Sequence, residues 1–316
     1  MNWYLIVGSW LTGLHMVLAQ PFMTLDNQST AFKRSDDLPK LVQKLTVSAQ
    51  TDLDKARILF IWTATHIHYD DSQSKPYRFG FAENPIDTLA AATQILRTKQ
   101  GVCTDFSLLL YQLFQTAGLP VRIVTGYAKG QSDQAGTPIQ FINHQWNMVF
   151  LEGKWQPLDA TWASTNNGTR PLNLYYFLTP PARFIATHFP DDPADQLVEN
   201  PLSKAEFDAL PRVYEPYFTM GFGPDFPRQG LYQIKQKLWI TLPNPAEMEF
   251  MVLAHRYGQP KRERTFYHKA THREQAYYLA MRVFRQGVYS VHILSRAKGD
   301  PAEHKLVLTL TVISDG

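Results

Sequence analysis

The sequence predicts an α+β core followed by an all-β sandwich. Three observations carry this reading. Apolar residues recur at helical spacing as far as Ala117, the pattern then changes to short strands with a hairpin, and from Leu231 onward only strand-like runs separated by turns remain. The chain has 316 residues. With a prior of about 150 residues per domain, two domains are expected.

The elements follow in order. After a polar lead from Gln20 to Asp36, Leu38, Leu41, Val42 and Leu45 fall at spacings of three and four, the apolar face of a helix. Thr51-Asp52 caps a second helix bearing Leu53, Ile58, Ile61 and Trp62, which runs into His66-Ile67-His68-Tyr69-Asp70. A polar loop from Ser72 to Asn84 ends at Pro85, and Asp87 is placed to cap a helix over Leu89–Leu96. Gly101-Val102-Cys103 then opens a strongly patterned helix through Phe106, Leu109, Leu110, Leu113 and Phe114, closed by Gly118-Leu119-Pro120. Val121–Tyr127 reads as a strand. Asn143–Leu151, the Gly153 turn and Lys154–Leu158 read as a hairpin. In the tail, apolar runs occur at Ile234–Leu242, Met248–Ala254, Thr265–His268, Ala276–Val283, Val288–Leu294 and Leu306–Ile313. Short strands with turn chemistry between them indicate an immunoglobulin-like β-sandwich.

Composition narrows the function classes. Hydrophobic residues make up 44% and charged residues 19%, enough for a large core and too apolar for a disordered chain. The net charge is +3. No Lys/Arg run is long enough to track phosphates, which argues against nucleic acid as a partner.

The stretch Leu5–Ala19 is apolar apart from Ser9, Thr12 and His15 and carries no formal charge other than what His15 can acquire. Val17-Leu18-Ala19 supplies a cleavage site before Gln20, so residues 1–19 read as a signal peptide. The alternative is an uncleaved anchor, but the stretch is shorter than the roughly 20 residues a span needs. The expected product is secreted or periplasmic, with no stable membrane insertion after cleavage.

The chain has one cysteine, so it forms no internal disulfide. Cys103 stands at a helix start, where unpaired N–H groups and the helix dipole favour a thiolate. A lone cysteine is by itself more often a small buried apolar residue. His144 begins a strand in Asn143-His144-Gln145-Trp146-Asn147 and could act as the base. Asp159 follows in Leu158-Asp159-Ala160-Thr161-Trp162, where a hairpin would bring it beside His144 to orient the ring. A nucleophile at a helix start with base and orienter on paired strands is a joint pattern that chance rarely supplies.

These blocks, Gln100-Gly101-Val102-Cys103-Thr104-Asp105-Phe106, His144-Gln145-Trp146-Asn147 and Leu158-Asp159-Ala160-Thr161-Trp162, resemble the three motifs of the transglutaminase-like superfamily. Gln145 stands where that family commonly has Ala. Gly126-Tyr127-Ala128-Lys129-Gly130, Tyr176-Phe177-Leu178-Thr179-Pro180, Thr187-His188-Phe189-Pro190 and Pro201–Phe207 are similar to the kyphoscoliosis peptidase subgroup. The resemblance implies a papain/transglutaminase-like catalytic core acting on amide bonds, with Cys103, His144 and Asp159 as its triad. It implies a protein or peptide substrate and a Cys103 thioester. The acceptor is water in a peptidase or amidase and a lysine amine in a crosslinker, and the subgroup favours hydrolysis. The division read from the sequence is a signal peptide at 1–19, a lead and helix at 20–50, a catalytic domain at 51–222 and the sandwich at 223–316. For the oxyanion, the Cys103 N–H is the natural donor, and Tyr69 or Gln100 are candidates for a second. The reading from a different class is a catalytically silent scaffold that binds protein, against which the intact triad argues.

No cofactor or metal is expected. The calcium dependence of some relatives does not transfer, because no loop is acidic enough to hold the ion. His66 and His68 alternate without a third ligand, and His255, His268, His272 and His292 lie in the tail without close ligand spacing.

Overall fold

A computed structural model describes residues 24–27, 29–32, 37–70, 72, 88–130, 134–235, 237–244, 246–257, 264–265, 268–282 and 285–316. The stretch 5–19, the Asp87 cap and most of the loop between Ser72 and Asn84 lie outside these residues. Among the described residues no helix is long and apolar enough to cross a membrane. The chain divides into two compact units: one runs to Thr125 and resumes over His144–Thr179, the other comprises Gly126–Asn143 and Pro180–Gly316.

The first unit is helical with a small sheet. Its elements are α1 (Leu38–Leu45), α2 (Asp52–His66), β1 (His68–Tyr69), α3 (Thr88–Thr98), β2 (Gln100–Gly101), α4 (Cys103–Thr116), the first part of β3 (Val121–Ala128), β4 (His144–Leu151), β5 (Lys154–Leu158) and α5 (Ala160–Ala163). The cap expected at Thr51 is a full capping box, with the Thr51 hydroxyl taking the Asp54 N–H and the Asp54 carboxylate taking the Thr51 N–H. The sequence pattern suggested an amphipathic α2, yet Ala56 and Ile58–Ala64 are all buried. From Ile58 to Ala64 the helix is buried all round because this part runs through the core, beside Phe106, Leu109, Leu110 and Phe114 of α4. The polar lead is also not a free tail. Arg57 makes a two-point ion pair with Asp26 at 2.7 and 2.8 Å, and the Trp62 indole N–H donates to the Phe32 carbonyl at 2.9 Å.

The hairpin of β4 and β5 fixes the geometry used below. Its two-residue loop, Glu152-Gly153, has φ of 52° and 78°, the left-handed pair that matches the twist of the flanking strands. The register pairs Asn147 with Leu158 and Leu151 with Lys154. A slip of one residue would turn every side chain to the other face.

The second unit begins with the far end of β3, where Gly126–Ala128 pair antiparallel with β6 (His188–Pro190). Short helices α6 (Pro181–Phe184), α7 (Lys204–Ala209) and α8 (Glu215–Thr219) and strand β7 (Arg212–Val213) lead into the β-rich tail. The Lys129 ammonium is buried, donates to the Asp208 and Leu210 carbonyls at 3.2 and 3.3 Å, and lies over the Phe207 ring. The tail comprises β8 (Leu231–Ile234), β9 (Lys237–Pro243), β10 (Met248–Arg256), β11 (Arg264–Thr265), β12 (His268–Arg273), β13 (Ala276–Arg282), β14 (Gly287–Ala297) and β15 (Lys305–Ser314). One sheet runs β11-β10-β14-β15-β7 with β8 also on β15, and the other runs β12-β13-β9. Leu238, Ile240 and Leu242 of β9 and Leu279 and Met281 of β13 are buried, as are Val252, Val291, Ile293, Leu308 and Leu310 of the larger sheet.

The run expected at Thr265–His268 is placed differently. It straddles two strands, β11 and the longer β12, whose sequence His-Lys-Ala-Thr-His-Arg is mostly exposed. An edge strand of this kind shows no apolar alternation, so the pattern does not reveal it.

The Gly153 turn is testable. Val cannot adopt φ of 78° without strain. Gly153→Val is expected to lower the unfolding free energy by about 1–3 kcal/mol, measured by urea denaturation of the full chain.

Candidate active site

Cys103 is the first residue of α4 and is 6% exposed. The helix start is built by Gly101 and Asp105. The Asp105 carboxylate accepts the Val102 N–H at 2.8 Å, and the Asp105 N–H donates to the Val102 carbonyl at 2.9 Å. Burial pushes the Asp105 carboxyl up, and the Val102 N–H opposes this. A Cβ added at Gly101 would collide with Asp105, so only glycine lets the chain approach the cap this closely.

His144 opens β4 and is buried. Its Nε2 contacts Asp159 Oδ2 at 2.6 Å, and Cys103 is near enough to interact electrostatically with the ring. Burial opposes a charge on the ring. The Asp159 charge and hydrogen bond outweigh it, helped by Cys103, and hold the imidazolium up to about 10. Trp146 stacks at 6.0 Å between centroids and Trp162 tilts against the ring at 5.6 Å, so the imidazole is walled by indoles.

Asp159 stands one residue beyond β5, at the junction with α5, and not within the strand. There it is the N-cap. Its Oδ1 accepts the Thr161 and Trp162 N–H groups at 2.8 and 3.0 Å, while Oδ2 faces His144. The expected proximity of Asp159 and His144 is observed, and the short helix supplies it by turning the carboxylate back.

Three residues outside the expected triad, Ser107, Gln145 and Asn147, hold α4 against β4. The Ser107 hydroxyl donates to Gln145 Oε1 at 2.5 Å, and the Asn147 amide donates to the Ser107 carbonyl at 3.0 Å. Ser107 lies one turn after Cys103, and Gln145 follows His144. The signal was present in the alternation of Gln145 and Asn147 along the strand, which puts both on one face.

The proposed oxyanion donors sit nearby in the chain but differ in setting. Strands β1 and β2 pair in parallel, with His68 opposite Gln100 and Tyr69 opposite Gly101. Tyr69 packs partly buried against the core, 6.5 Å from the Phe106 ring, whereas Gln100 is exposed. His66 stacks on Trp62 and bonds the Trp62 carbonyl of its own helix at 3.0 Å.

Comparison with known proteins matches this architecture. Residues 39–160 fit the sequence model of the transglutaminase-like superfamily. The kyphoscoliosis peptidase of Homo sapiens is 31% identical over 242 residues, which is 74% of this chain and 35% of that protein. The kyphoscoliosis peptidase of Mus musculus is 31% identical over 241 residues, 73% of this chain and 35% of that protein. Cytokinesis protein 3 of Schizosaccharomyces pombe is 29% identical over 209 residues, 63% of this chain and 22% of that protein. The chain thus matches about a third of the length of the two peptidases. A transglutaminase-like α+β core followed by an all-β region, with the kyphoscoliosis peptidases among the proteins it is similar to, makes residues 39–160 of this chain a transglutaminase-like superfamily domain.

Proposed function

We propose that this protein is a thiol enzyme that cleaves peptide or glutamine amide bonds, with Cys103 as nucleophile, His144 as general acid and base, and Asp159 as the residue that orients His144. One observation carries the proposal: the buried His144 ring is held through Nε2 by a carboxylate whose other oxygen is already satisfied, and it interacts electrostatically with Cys103 at the start of α4.

The steps follow from these contacts. The Cys103 sulfur adds to the carbonyl carbon, forming a C–S bond and an oxyanion. The first N–H groups of α4 have no partner within the helix, and the Cys103 N–H is the natural donor to that oxygen. Tyr69 and Gln100 are the candidates for a second donor. The C–N bond then breaks, and the imidazolium of His144 gives its proton to the leaving amine. A thioester remains. Water attacks it with neutral His144 accepting a proton, and the acid and free thiol are released. Asp159 keeps the imidazole in the tautomer and orientation this needs and stabilises its cation. Water is favoured over a lysine amine as acceptor because relatives bear the name peptidase.

On the division read from the sequence, residues 51–222 form the catalytic domain and residues 223–316 the sandwich. Residues 1–19 act as a signal peptide, which makes the mature protein secreted or periplasmic. N-terminal sequencing of the exported product is expected to begin at Gln20; a product that retains Met1 would contradict export by cleavage.

The nucleophile is tested by alkylation. Cys103 is expected to react with iodoacetamide at neutral pH without denaturant, and about 10²- to 10⁴-fold more slowly in His144→Ala. A requirement for denaturant would count against the enzyme reading and favour the scaffold.

The role of Asp159 is tested by titration. Asp159→Asn removes the charge that holds up the imidazolium while the opposing effect of burial stays. In ¹⁵N-histidine spectra the His144 titration is therefore expected to move down from about 10, and turnover to fall by about 10⁴-fold.

A further inference from the structure

The larger sheet of the second unit has two unlike faces. Residues paired directly across strands share a face. Val252, Ala254, Val291, Ile293, Leu308 and Leu310 line one side as a buried aliphatic layer. The other side carries a polar row, His255 of β10 opposite Ser290 of β14 and Ser290 opposite Thr311 of β15. In the next row Leu253 is opposite His292 and His292 opposite Thr309. Ser290, Thr309 and Thr311 are almost fully buried.

We propose that His255 and His292, with the hydroxyl groups beside them, form a binding site for a divalent cation of borderline softness such as Zn²⁺. Three observations carry the proposal. His255 Nδ1 and His292 Nε2 lie 3.4 Å apart. That exceeds the usual range of about 2.7–3.2 Å for an N–H donor and its acceptor. It matches the separation of about 3.3–3.4 Å between two ligands that each stand about 2.0–2.1 Å from a tetrahedral zinc ion.

The second observation is the orientation of His292. Its Nδ1 is 2.8 Å from Thr309 Oγ1, which in turn lies 3.2 Å from the Tyr214 hydroxyl. When Thr309 Oγ1 accepts from Nδ1–H, Nε2 is left toward His255 as a ligand atom, the outer-layer arrangement found around metal-binding histidines. The third is Thr311. It is 0% exposed, its Oγ1 has no hydrogen-bond partner among the described residues, and it is paired with Ser290, whose own Oγ is 3.4 Å from His292 Nε2. A buried hydroxyl without a partner costs free energy unless a ligand or its bound water takes it up.

Neutral imidazoles suit Zn²⁺, Cu²⁺ and Ni²⁺ rather than Mg²⁺ or Ca²⁺, which seek carboxylates. Two protein nitrogens leave the remaining positions to water, to the Ser290 and Thr311 hydroxyls or to a donor from outside. The histidines belong to different strands and are far apart in sequence. Strand register nevertheless brings them together.

The test is a Zn²⁺ titration of the full chain, stripped with EDTA, at neutral pH, followed by ¹⁵N-histidine spectra. His255 Nδ1 and His292 Nε2 are expected to shift before any other histidine nitrogen. In His255→Ala the His292 shift is lost, in His292→Ala the His255 shift is lost, and Thr309→Val binds Zn²⁺ about 10- to 100-fold more weakly. Circular dichroism checks that each variant is folded, and the wild-type spectra decide the matter if one is not. Shifts confined to other histidines, no response to Zn²⁺, or equal binding by wild type and both alanine variants would overturn the proposal.

Discussion

The contact between His144 and Asp159 is the constraint around which the first unit is organised. Asp159 is 1% exposed. A carboxylate without partners at that depth would cost several kcal/mol. It is tolerated because two N–H groups of α5 and the His144 ring surround it. Each partner needs a specific local structure. The N–H groups require a helix to begin immediately after Leu158. The ring requires the Glu152-Gly153 turn to set the register of β4 and β5. The helix of Cys103 then has to sit at a fixed height on β4, and Ser107, Gln145 and Asn147 hold it there. The proposed catalytic geometry and the local folding rest on the same set of hydrogen bonds.

This arrangement also explains why the imidazole can carry charge in a buried place. Burial alone would drive His144 neutral. The adjacent carboxylate reverses that, so the ring stays protonated through the neutral range. In the proposed mechanism, an imidazolium beside the Cys103 sulfur is the state from which attack and proton return both proceed. The indoles of Trp146 and Trp162 restrict the ring's freedom without competing for its nitrogens.

Much of this was legible in the sequence, and the reasons are physical. Cys103 could be placed at a helix start because Gly101 precedes it and the apolar spacing begins at Phe106. His144 and Asp159 could be brought together because alternation and the glycine turn announce a hairpin. Local signals therefore reached the proposed triad. They did not reach features set by long-range register. The tie between Ser107 and Gln145 joins a helix to a strand that lies beyond β3. The polar edge strand β12 has no apolar period to betray it. The Asp26–Arg57 pair and the Trp62–Phe32 bond tie the polar lead to α2, which its composition does not express. His255 and His292 meet because β10 and β14 are antiparallel neighbours, which the spacing of residues along the chain does not express.

The central claim is that Cys103 forms a covalent acyl intermediate. Its most direct measurement is mass spectrometry of the protein after rapid acid quenching of a reaction with a peptide or glutamine-amide substrate. The account predicts an acyl mass on the proteolytic fragment containing Cys103, released by hydroxylamine and absent from Cys103→Ala. Consumption of substrate at equal rates by wild type and Cys103→Ala, with no adduct at this residue, would contradict it.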